Sequence, residues 1–204
     1  MSLYRDHVLP RIVDKACARK DFNALRRESL AGLAGVVVEI GFGSGHNLPH
    51  YPPEVRRVLA VEPSLLAQRL AASRIDDAAV DVEFVGLDGQ QLPLADGCAD
   101  AAVSTFTLCT IPDPTAALDE LRRVLRPGGT LHFLEHGLAT DPKVAVWQHR
   151  LNPLQRRVCG GCHFDRPIDQ LLTTAGYDLD ELRTLYATGP KTPSFIYAGI
   201  ARPG

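Results

Sequence analysis

The chain has 204 residues, of which 45% are hydrophobic and 23% are charged, and its formal net charge is −2. This length suits one domain with a well-buried core and is short for two. The near-neutral charge gives no general attraction to nucleic acid, so no nucleic-acid partner is expected. The longest apolar stretches have the length of a strand, far below the roughly 18 residues that a membrane-spanning helix needs. No membrane span is therefore predicted.

The N-terminal region, residues 1–17, has apolar side chains at the spacing of an amphipathic helix that is broken near Pro10. Such a helix could rest on a membrane surface, and the sequence leaves that association open. Docking of the helix onto its own domain is the preferred interpretation. The five cysteines, an odd number without a secretory leader, indicate reduced thiols and a cytoplasmic location.

Predicted strands and helices alternate along the rest of the chain. Apolar and β-branched runs predict strands over residues 36–40, 55–61, 80–85, 99–108, 130–134, 182–187 and 195–201. Helices are predicted over residues 65–74, 113–125 and 167–175, with Ser64 as the N-cap of the first and a Pro-Gly-Gly turn at 127–129 after the second. This alternation predicts an α/β fold with a Rossmann-like, doubly wound sheet. We expect seven mostly parallel strands, an antiparallel last strand, and helices on both faces.

A glycine-rich turn follows the first predicted strand, in the sequence Glu39-Ile40-Gly41-Phe42-Gly43-Ser44-Gly45. Glycine permits a tight turn and lets backbone N–H groups approach a ligand closely. The G-x-G-x-G spacing differs from the G-x-G-x-x-G of phosphate-binding loops, which favours a ligand without phosphates whose amino-acid end lies beside the loop. A purely structural turn is the alternative.

Glu62 closes the second predicted strand, 21 positions after Gly41. A carboxylate at this place can accept hydrogen bonds from both hydroxyls of a ribose. A solvated acid at a strand end is the alternative. Because NAD-binding folds carry an acid at a similar place, Glu62 indicates a ribose rather than one particular cofactor.

Four segments, in order and at ordinary spacing, resemble the motifs of the class I S-adenosylmethionine-dependent methyltransferases with a type 11 domain. The segments are residues 37–45, 61–64, 87–94 and 121–129. Leu87 stands where that family has glycine, and Gln90 where it has an acid. The resemblance covers nearly the whole chain, and it implies S-adenosylmethionine as cofactor and S-adenosylhomocysteine as its product.

The resemblance also implies roles for individual residues. It assigns the methionine end of the cofactor to Glu39, Gly41, Gly43 and Gly45, the ribose to Glu62 and Pro63, the adenine to Asp88, Gly89 and Gln90, and the surroundings of the sulfonium to Thr105 and Phe106. Residues 1–204 then form one methyltransferase domain. Its parts are an N-terminal helical cap (1–32), a cofactor-binding core (36–137), a substrate-side lid (138–166), and a C-terminal helix and strand pair (167–204).

A narrower resemblance concerns the branch that includes the alkyl thiol methyltransferases. The segments that carry it are residues 107–110, 134–136, 147–148 and 161–162, with Arg166 nearby. It places Leu108, Trp147 and Arg166 on the side of the methyl acceptor. Those relatives carry a membrane-anchoring hydrophobic N-terminus that is not seen here, so the resemblance does not imply a membrane location, and it weakens the case for a thiol substrate.

His136 follows the fifth predicted strand, at the sheet edge where such folds place their sites. A thiol acceptor reacts as its thiolate, and His136 is the candidate general base for forming it; a hydrogen-bonded structural histidine is the alternative. The sequence Cys159-Gly160-Gly161-Cys162-His163 matches the c-type haem attachment pattern, which requires export, and offers too few ligands for zinc. No metal is therefore predicted.

The predicted function is methyl transfer from S-adenosylmethionine to a small molecule, with a thiol as the candidate acceptor. The alternatives are a lipid, quinone or RNA acceptor, or a non-catalytic module that binds S-adenosylmethionine or NAD. The expected assembly is a monomer or a homodimer.

Overall fold

One seven-stranded sheet forms the centre of the molecule, which the computed structural model describes over residues 3–204. The strands are β1 (Gly35–Ile40), β2 (Val55–Val61), β3 (Asp81–Gly86), β4 (Ala99–Thr105), β5 (Leu125–His136), β6 (Tyr177–Tyr186) and β7 (Phe195–Pro203). Their order across the sheet is β3-β2-β1-β4-β5-β7-β6. The first five strands run parallel, and β7 is antiparallel to both β5 and β6. The predicted fold class is confirmed.

Seven α-helices accompany the sheet in the described part of the chain. They are α1 (Leu9–Cys17), α2 (Lys20–Ser29), α3 (Leu65–Asp76), α4 (Pro114–Val124), α5 (Pro142–Val158), α6 (Ile168–Thr174) and the short α7 (Lys191–Ser194). A π-helical turn over Tyr4–Val8 and a 3-10 turn over Leu48–His50 complete the helical elements. None of the helices in residues 3–204 combines the length and the apolar character that crossing a membrane requires.

Both faces of the sheet are buried, as the continuous apolar run of β1 predicts. Val38 packs on one face with Leu118 of α4 and Ile168 of α6. Val37 packs on the opposite face with Leu30 and with Ala71 of α3. Because the chain order reverses between β1 and β4, a crevice opens at the carboxyl ends of these two strands, which is where open α/β sheets bind ligands.

The N-terminal helix docks onto its own domain. Asp14 of α1 accepts a hydrogen bond from the Ser44 hydroxyl at 2.6 Å and forms an ion pair with Arg74 of α3 at 3.3 Å. The predicted break near Pro10 falls at the change from the π-helical turn to α1. Residues 1–2 of the predicted helix lie outside the described residues.

The fourth strand ends at Thr105, three residues before the predicted end at Leu108. Phe106 has a φ of +56°, which turns the chain out of the sheet. The next three backbone N–H groups then donate to the carboxylate of Glu135 instead of to a neighbouring strand. The β-branched run of the sequence does not reveal this change of partner.

The predicted turn at 127–129 is wrong in detail, because β5 begins at Leu125, directly after α4. Its pairing with β4 shifts register between Ala99 and Ala101, and the turn residues lie within that irregularity. The segment 138–166, predicted as a lid, contains the 17-residue helix α5, which the sequence analysis did not identify. The sixth strand also begins earlier than predicted, at Tyr177.

Candidate functional site

A cavity of about 1050 Å³ opens at the carboxyl ends of β1, β2, β4 and β5. This volume lies at the upper end of the usual range for small-molecule sites, about 300–1000 Å³, so the cavity can hold two small ligands side by side. Its wall is formed by the glycine-rich turn after β1, the loops after β2, β3 and β4, and the segment that follows α5. Helix α1 covers part of the mouth with Leu9, Ile12 and Val13.

The glycine-rich turn presents its backbone to the cavity. Gly41 and Gly43 both have positive φ values, of 66° and 60°. A Cβ atom at Gly41 would overlap the side chain of Thr107, whereas a Cβ at Gly43 would meet only the Gly41 carbonyl oxygen, at 3.8 Å. A side chain at Gly43 would therefore project into open space. The turn is thus a cradle that only glycine leaves free for a ligand.

Glu62 lies beside this cradle and is 7% exposed. Its two carboxylate oxygens accept hydrogen bonds from the backbone N–H groups of Gly43 and Ser64, both at 2.7 Å. Burial raises the pKa of Glu62, and these two N–H groups oppose that shift. Because a carboxylate offers about four acceptor positions, Glu62 can still receive two hydroxyl groups of a ligand.

Asp88 and Gln90 form a second polar group on the cavity wall, with Gly89 between them. Asp88 Oδ1 accepts hydrogen bonds from the Gln90 backbone N–H at 2.9 Å and from its side-chain amide at 3.0 Å. Gln90 Oε1 in turn accepts from the Asp113 backbone N–H at 2.8 Å. Gln90, which departs from the family motif, thus orients Asp88 and fastens this wall to the start of α4.

Glu39 reaches the cavity from β1, but its oxygens are engaged by the protein. Asn47 and Tyr51 donate hydrogen bonds to the Glu39 carboxylate, both at 2.7 Å. Arg26, which is also buried, donates to the side-chain oxygen of Asn47 at 2.7 Å. Burial raises the pKa of Glu39 to about 7, against the hydrogen bonds from Tyr51 and Asn47. Glu39 is therefore a buried acid that titrates near neutral pH.

Phe106 and His136 form the inner end of the cavity. Their rings stack with centroids 4.6 Å apart. The ring of Phe22 from α2 also packs against Phe106, with a centroid distance of 5.0 Å. His136 is half-buried, and its Nδ1 is buried without a hydrogen-bond partner in the described residues. An unpaired buried nitrogen costs free energy, so it marks a place where a ligand would be favoured.

Two cysteines lie beside His136, one on the loop after β4 and one after α5. The Cys109 and Cys162 sulfur atoms are 3.8 Å apart, and a ring nitrogen of His136 lies within 4.8 Å of both. Both cysteines are buried, at 0% and 8% exposure. The hydrogen bond between the two cysteines, followed by the interaction with His136, lowers the pKa of Cys162. We call these three residues the thiol–histidine cluster.

The structure brings most of the predicted site residues together. Eleven of them line the cavity: Glu39, Gly41, Gly43, Glu62, Pro63, Asp88, Gly89, Gln90, Thr105, Phe106 and His136. Gly45 does not line it and instead faces Leu48, Ala71 and Phe42. It therefore serves the turn itself.

The three residues predicted on the acceptor side lie elsewhere. Leu108 is fully buried in the core. Trp147 is 54% exposed on α5, where Arg150 lies over its ring. Arg166 donates hydrogen bonds to the carbonyl oxygens of Leu108 and Ile111, which fixes the loop after β4. None of the three contributes to the cavity wall.

Four cysteines lie on the cavity wall: Cys17, Cys109, Cys159 and Cys162. The sequence pattern drew attention to Cys159 and Cys162, whereas no pattern pointed to a site at Cys17 or Cys109. All five cysteines of the chain are free thiols. Cys109 and Cys162 are 53 positions apart, and no local pattern joins them. The C-x-x-C spacing gave the only signal, and it pairs Cys162 with Cys159 rather than with Cys109.

Comparisons with known proteins agree with this geometry. A family profile described as a methyltransferase domain matches residues 38–133. Thiol S-methyltransferase TMT1B of Homo sapiens is 36% identical over 145 residues, which cover 68% of this chain and 59% of that protein. Thiol S-methyltransferase TMT1A of Homo sapiens is 31% identical over 166 residues, which cover 78% of this chain and 68% of that protein.

A solved structure of a SAM-dependent methyltransferase from Methanosarcina mazei matches the fold with a TM-score of 0.67. It is 22% identical, and the match covers 85% of this chain and 94% of that one. The chain spans about three fifths of the length of the first curated relative and 68% of the second. The family profile and the two relatives, together with this fold, show that the chain belongs to the S-adenosylmethionine-dependent methyltransferase family.

Proposed function

We propose that this chain binds S-adenosylmethionine in the cavity and transfers its methyl group to a small thiol. The observation that carries the proposal is the open glycine cradle at Gly43 beside the buried carboxylate of Glu62. The relatives described as thiol S-methyltransferases support the thiol as acceptor. The cofactor supplies an activated methyl group on a positively charged sulfur.

Each part of this cofactor can be assigned to neighbouring residues of the cavity wall. Glu62 accepts hydrogen bonds from the ribose hydroxyls, while Asp88 and Gly89 meet the adenine. The turn at Gly41 and Gly43 receives the methionine end, and Glu39 lies beside the turn. Thr105 and Phe106 then border the reacting methyl group. Pro63 and Gln90 shape the ribose and adenine walls.

The protein accelerates this reaction mainly by alignment. Holding two reactants in line for displacement can lower a barrier by roughly 7–11 kcal/mol. The apolar side chains of α1 at the cavity mouth, Leu9, Ile12 and Val13, exclude water and suit an acceptor with an apolar body. The region 138–166 acts in this proposal as a lid on the acceptor side.

The acceptor must lose a proton before it reacts, because the thiolate is the nucleophile. His136 lies at the inner end of the cavity with a buried ring nitrogen that has no hydrogen-bond partner within residues 3–204. We therefore propose that His136 promotes ionisation of the acceptor.

The proposal extends to the setting in which the chain works. Five free cysteines, four of them on the cavity wall, suit a reducing compartment, so we propose a cytoplasmic location. The enzyme acts on a small molecule without a nucleic-acid partner, as a monomer or a homodimer.

A labelled-methyl assay tests this function. Purified chain is incubated with methyl-labelled S-adenosylmethionine and a panel of alkyl and aryl thiols, with the matched alcohols and amines as controls. The expected result is label on thiols and none on the matched alcohols. Transfer to amines or alcohols but to no thiol would contradict the acceptor, and no binding of the cofactor would contradict the whole proposal.

A further inference from the structure

We propose that Cys109, His136 and Cys162 form a binding site for a thiophilic divalent cation such as Zn²⁺, open on one side to the cavity. The inference rests on the proposed function and specifies how the acceptor loses its proton. It also differs from the zinc arrangement considered for Cys159, Cys162 and His163, because the structure groups Cys162 with residues from two other elements.

The distance between the two sulfur atoms matches that of two cysteine ligands on one zinc ion. Two thiolates at about 2.3 Å from one tetrahedral zinc ion are themselves about 3.8 Å apart. The Cys109 and Cys162 sulfur atoms are separated by 3.8 Å. A disulfide would need about 2.05 Å. The protein therefore holds the two sulfurs at the distance that suits a shared cation.

The histidine supplies the third ligand. A ring nitrogen of His136 lies within 4.8 Å of both sulfur atoms. The unpaired Nδ1 of His136 gains a partner if it ligates the cation. Two thiolates and a neutral imidazole around Zn²⁺ have no net charge, which suits a buried position.

The surrounding contacts hold the ligands in place. The backbone N–H of Cys109 donates to Glu135 at 3.1 Å, and the Cys109 carbonyl oxygen accepts from the His163 backbone N–H at 2.7 Å. The second contact joins the loop after β4 to the segment after α5. Such supporting hydrogen bonds are a regular feature of metal sites, because they fix the ligands before the ion binds.

An open fourth position distinguishes a catalytic zinc site from a structural one, and two cysteines with one histidine is a known ligand set for the catalytic kind. All three residues line the cavity, so the fourth position faces the proposed acceptor site. A thiol that binds there loses its proton to solvent, because a coordinating thiol is deprotonated by the cation. His136 then acts as a ligand.

Methyl transfer follows with atoms and charges in balance. The thiolate sulfur forms a bond to the methyl carbon as the bond between that carbon and the sulfonium sulfur breaks. The electron pair of the broken bond stays on the cofactor's sulfur, which becomes neutral. The negative charge of the thiolate is consumed, and the product is a neutral thioether, a weaker ligand that leaves the cation.

Zinc titration of the full chain tests the site. The reduced protein is stripped with a chelator and titrated calorimetrically with Zn²⁺, and Co²⁺ is added to a parallel sample to record its visible spectrum. The expected result is one ion per chain, with the sulfur-to-metal absorption of thiolate-bound Co²⁺. Cys109→Ser, Cys162→Ser and His136→Ala should each weaken Zn²⁺ binding by more than about 100-fold, the upper range for loss of a merely supporting contact.

Matched controls separate the cluster from the other thiols. Cys159→Ser removes the neighbouring cavity cysteine, and Cys98→Ser removes an exposed one. Both should keep wild-type Zn²⁺ affinity. Wild-type protein that takes up no Zn²⁺ after reduction would overturn the inference, as would loss of binding in Cys159→Ser without loss in Cys109→Ser.

Cofactor binding and methyl transfer, measured on the same samples, keep the two proposals apart. Zinc-stripped chain should still bind S-adenosylmethionine while its transfer to thiols falls and returns on addition of Zn²⁺. Full transfer by stripped chain would refute the cation's role and leave the thiol methyltransferase proposal standing. Absence of cofactor binding with intact Zn²⁺ binding would refute the proposed function instead.

Discussion

Glu135 organises the inner wall of the cavity through four hydrogen bonds. Its fully buried carboxylate accepts from the Ser104 hydroxyl at 2.7 Å and from the backbone N–H groups of Thr107, Leu108 and Cys109 at 2.9, 3.0 and 3.1 Å. Burial raises the pKa of Glu135, against these four donors. The side chain thus replaces a neighbouring strand as the partner of the backbone, and it positions Cys109 beside His136.

Glu135→Gln should displace the loop after β4. The amide group would have to face the Cys109 N–H or the other donors, so at least one buried donor would lose its acceptor, at a cost of roughly 1–3 kcal/mol. Urea unfolding of the mutant and the parent measures this loss. Unchanged stability would show that the loop is held by other contacts, such as those of Arg166.

His136→Ala should lower turnover on thiols by roughly 10²–10⁴-fold with little change in cofactor affinity. The loss should shrink as the pH rises toward the pKa of the thiol, near 8.5 for a cysteine-like thiol, because solution then ionises the nucleophile. Turnover against pH for both proteins is the measurement, with His149→Ala on the exposed face of α5 as control. Parallel profiles would remove His136 from the ionisation step.

At the scale of elements, the glycine turn requires glycine at Gly41 and Gly43, because both residues have a positive φ. Gly43→Val should abolish cofactor binding while the fold survives, since its side chain would enter the cavity and a positive φ costs a non-glycine residue roughly 1–2 kcal/mol. Gly128→Val is the matched control, because Gly128 also has a positive φ with nothing near its Cβ. Calorimetry with S-adenosylmethionine should show normal affinity for the control only.

The sequence predicted the elements where a local pattern is sufficient. The strand β2, with four buried residues in a row at its end, and the Ser64 cap of α3 both follow from neighbouring residues, and both predictions are confirmed. The end of β4 could not be predicted, because it depends on a carboxylate that lies about 30 positions further along the chain. The alternation of strands and helices along the chain therefore predicts the α/β fold. The conformation of the loop that carries Cys109 depends on tertiary contacts.

At the scale of the whole molecule, the part of the cavity wall that carries Glu62 and Asp88 could be predicted from the sequence, whereas the part that carries Cys109 could not. Motif residues such as Glu62 and Asp88 occupy fixed places at strand ends, so a resemblance locates them. The inner end of the cavity is assembled from the loop after β4, the end of β5 and the segment after α5, which only the folded chain brings together. Trp147 illustrates the difference, since its position in a family-like segment did not place it on the cavity wall.

Overall stability should depend on pH through Glu39. Its pKa is raised to about 7 by burial, from an ordinary 4.5, so the folded chain holds that proton more tightly than the unfolded chain. The stability contributed by Glu39 is present below pH 4.5 and is lost as the pH rises through about 7, by at most ~3 kcal/mol. The groups facing it are Tyr51, Asn47 and Arg26, with Glu62 adding like charge.

Glu39→Gln should remove this dependence, because the amide stays neutral. Urea unfolding at pH 5 and pH 8 should show a larger drop in stability for the parent than for the mutant. Equal drops would mean that Glu39 has the same proton affinity in the folded and unfolded chain.

The central claim is that the glycine turn and Glu62 form the S-adenosylmethionine site. Calorimetric titration of wild type, Glu62→Ala and the exposed control Glu83→Ala tests it most directly. Glu62→Ala should weaken S-adenosylmethionine binding by about 10-fold to 100-fold or more, since it removes charge-assisted hydrogen bonds to the ribose and frees the Gly43 N–H. Glu83→Ala should bind as the parent does. An unchanged dissociation constant in folded Glu62→Ala would contradict the account.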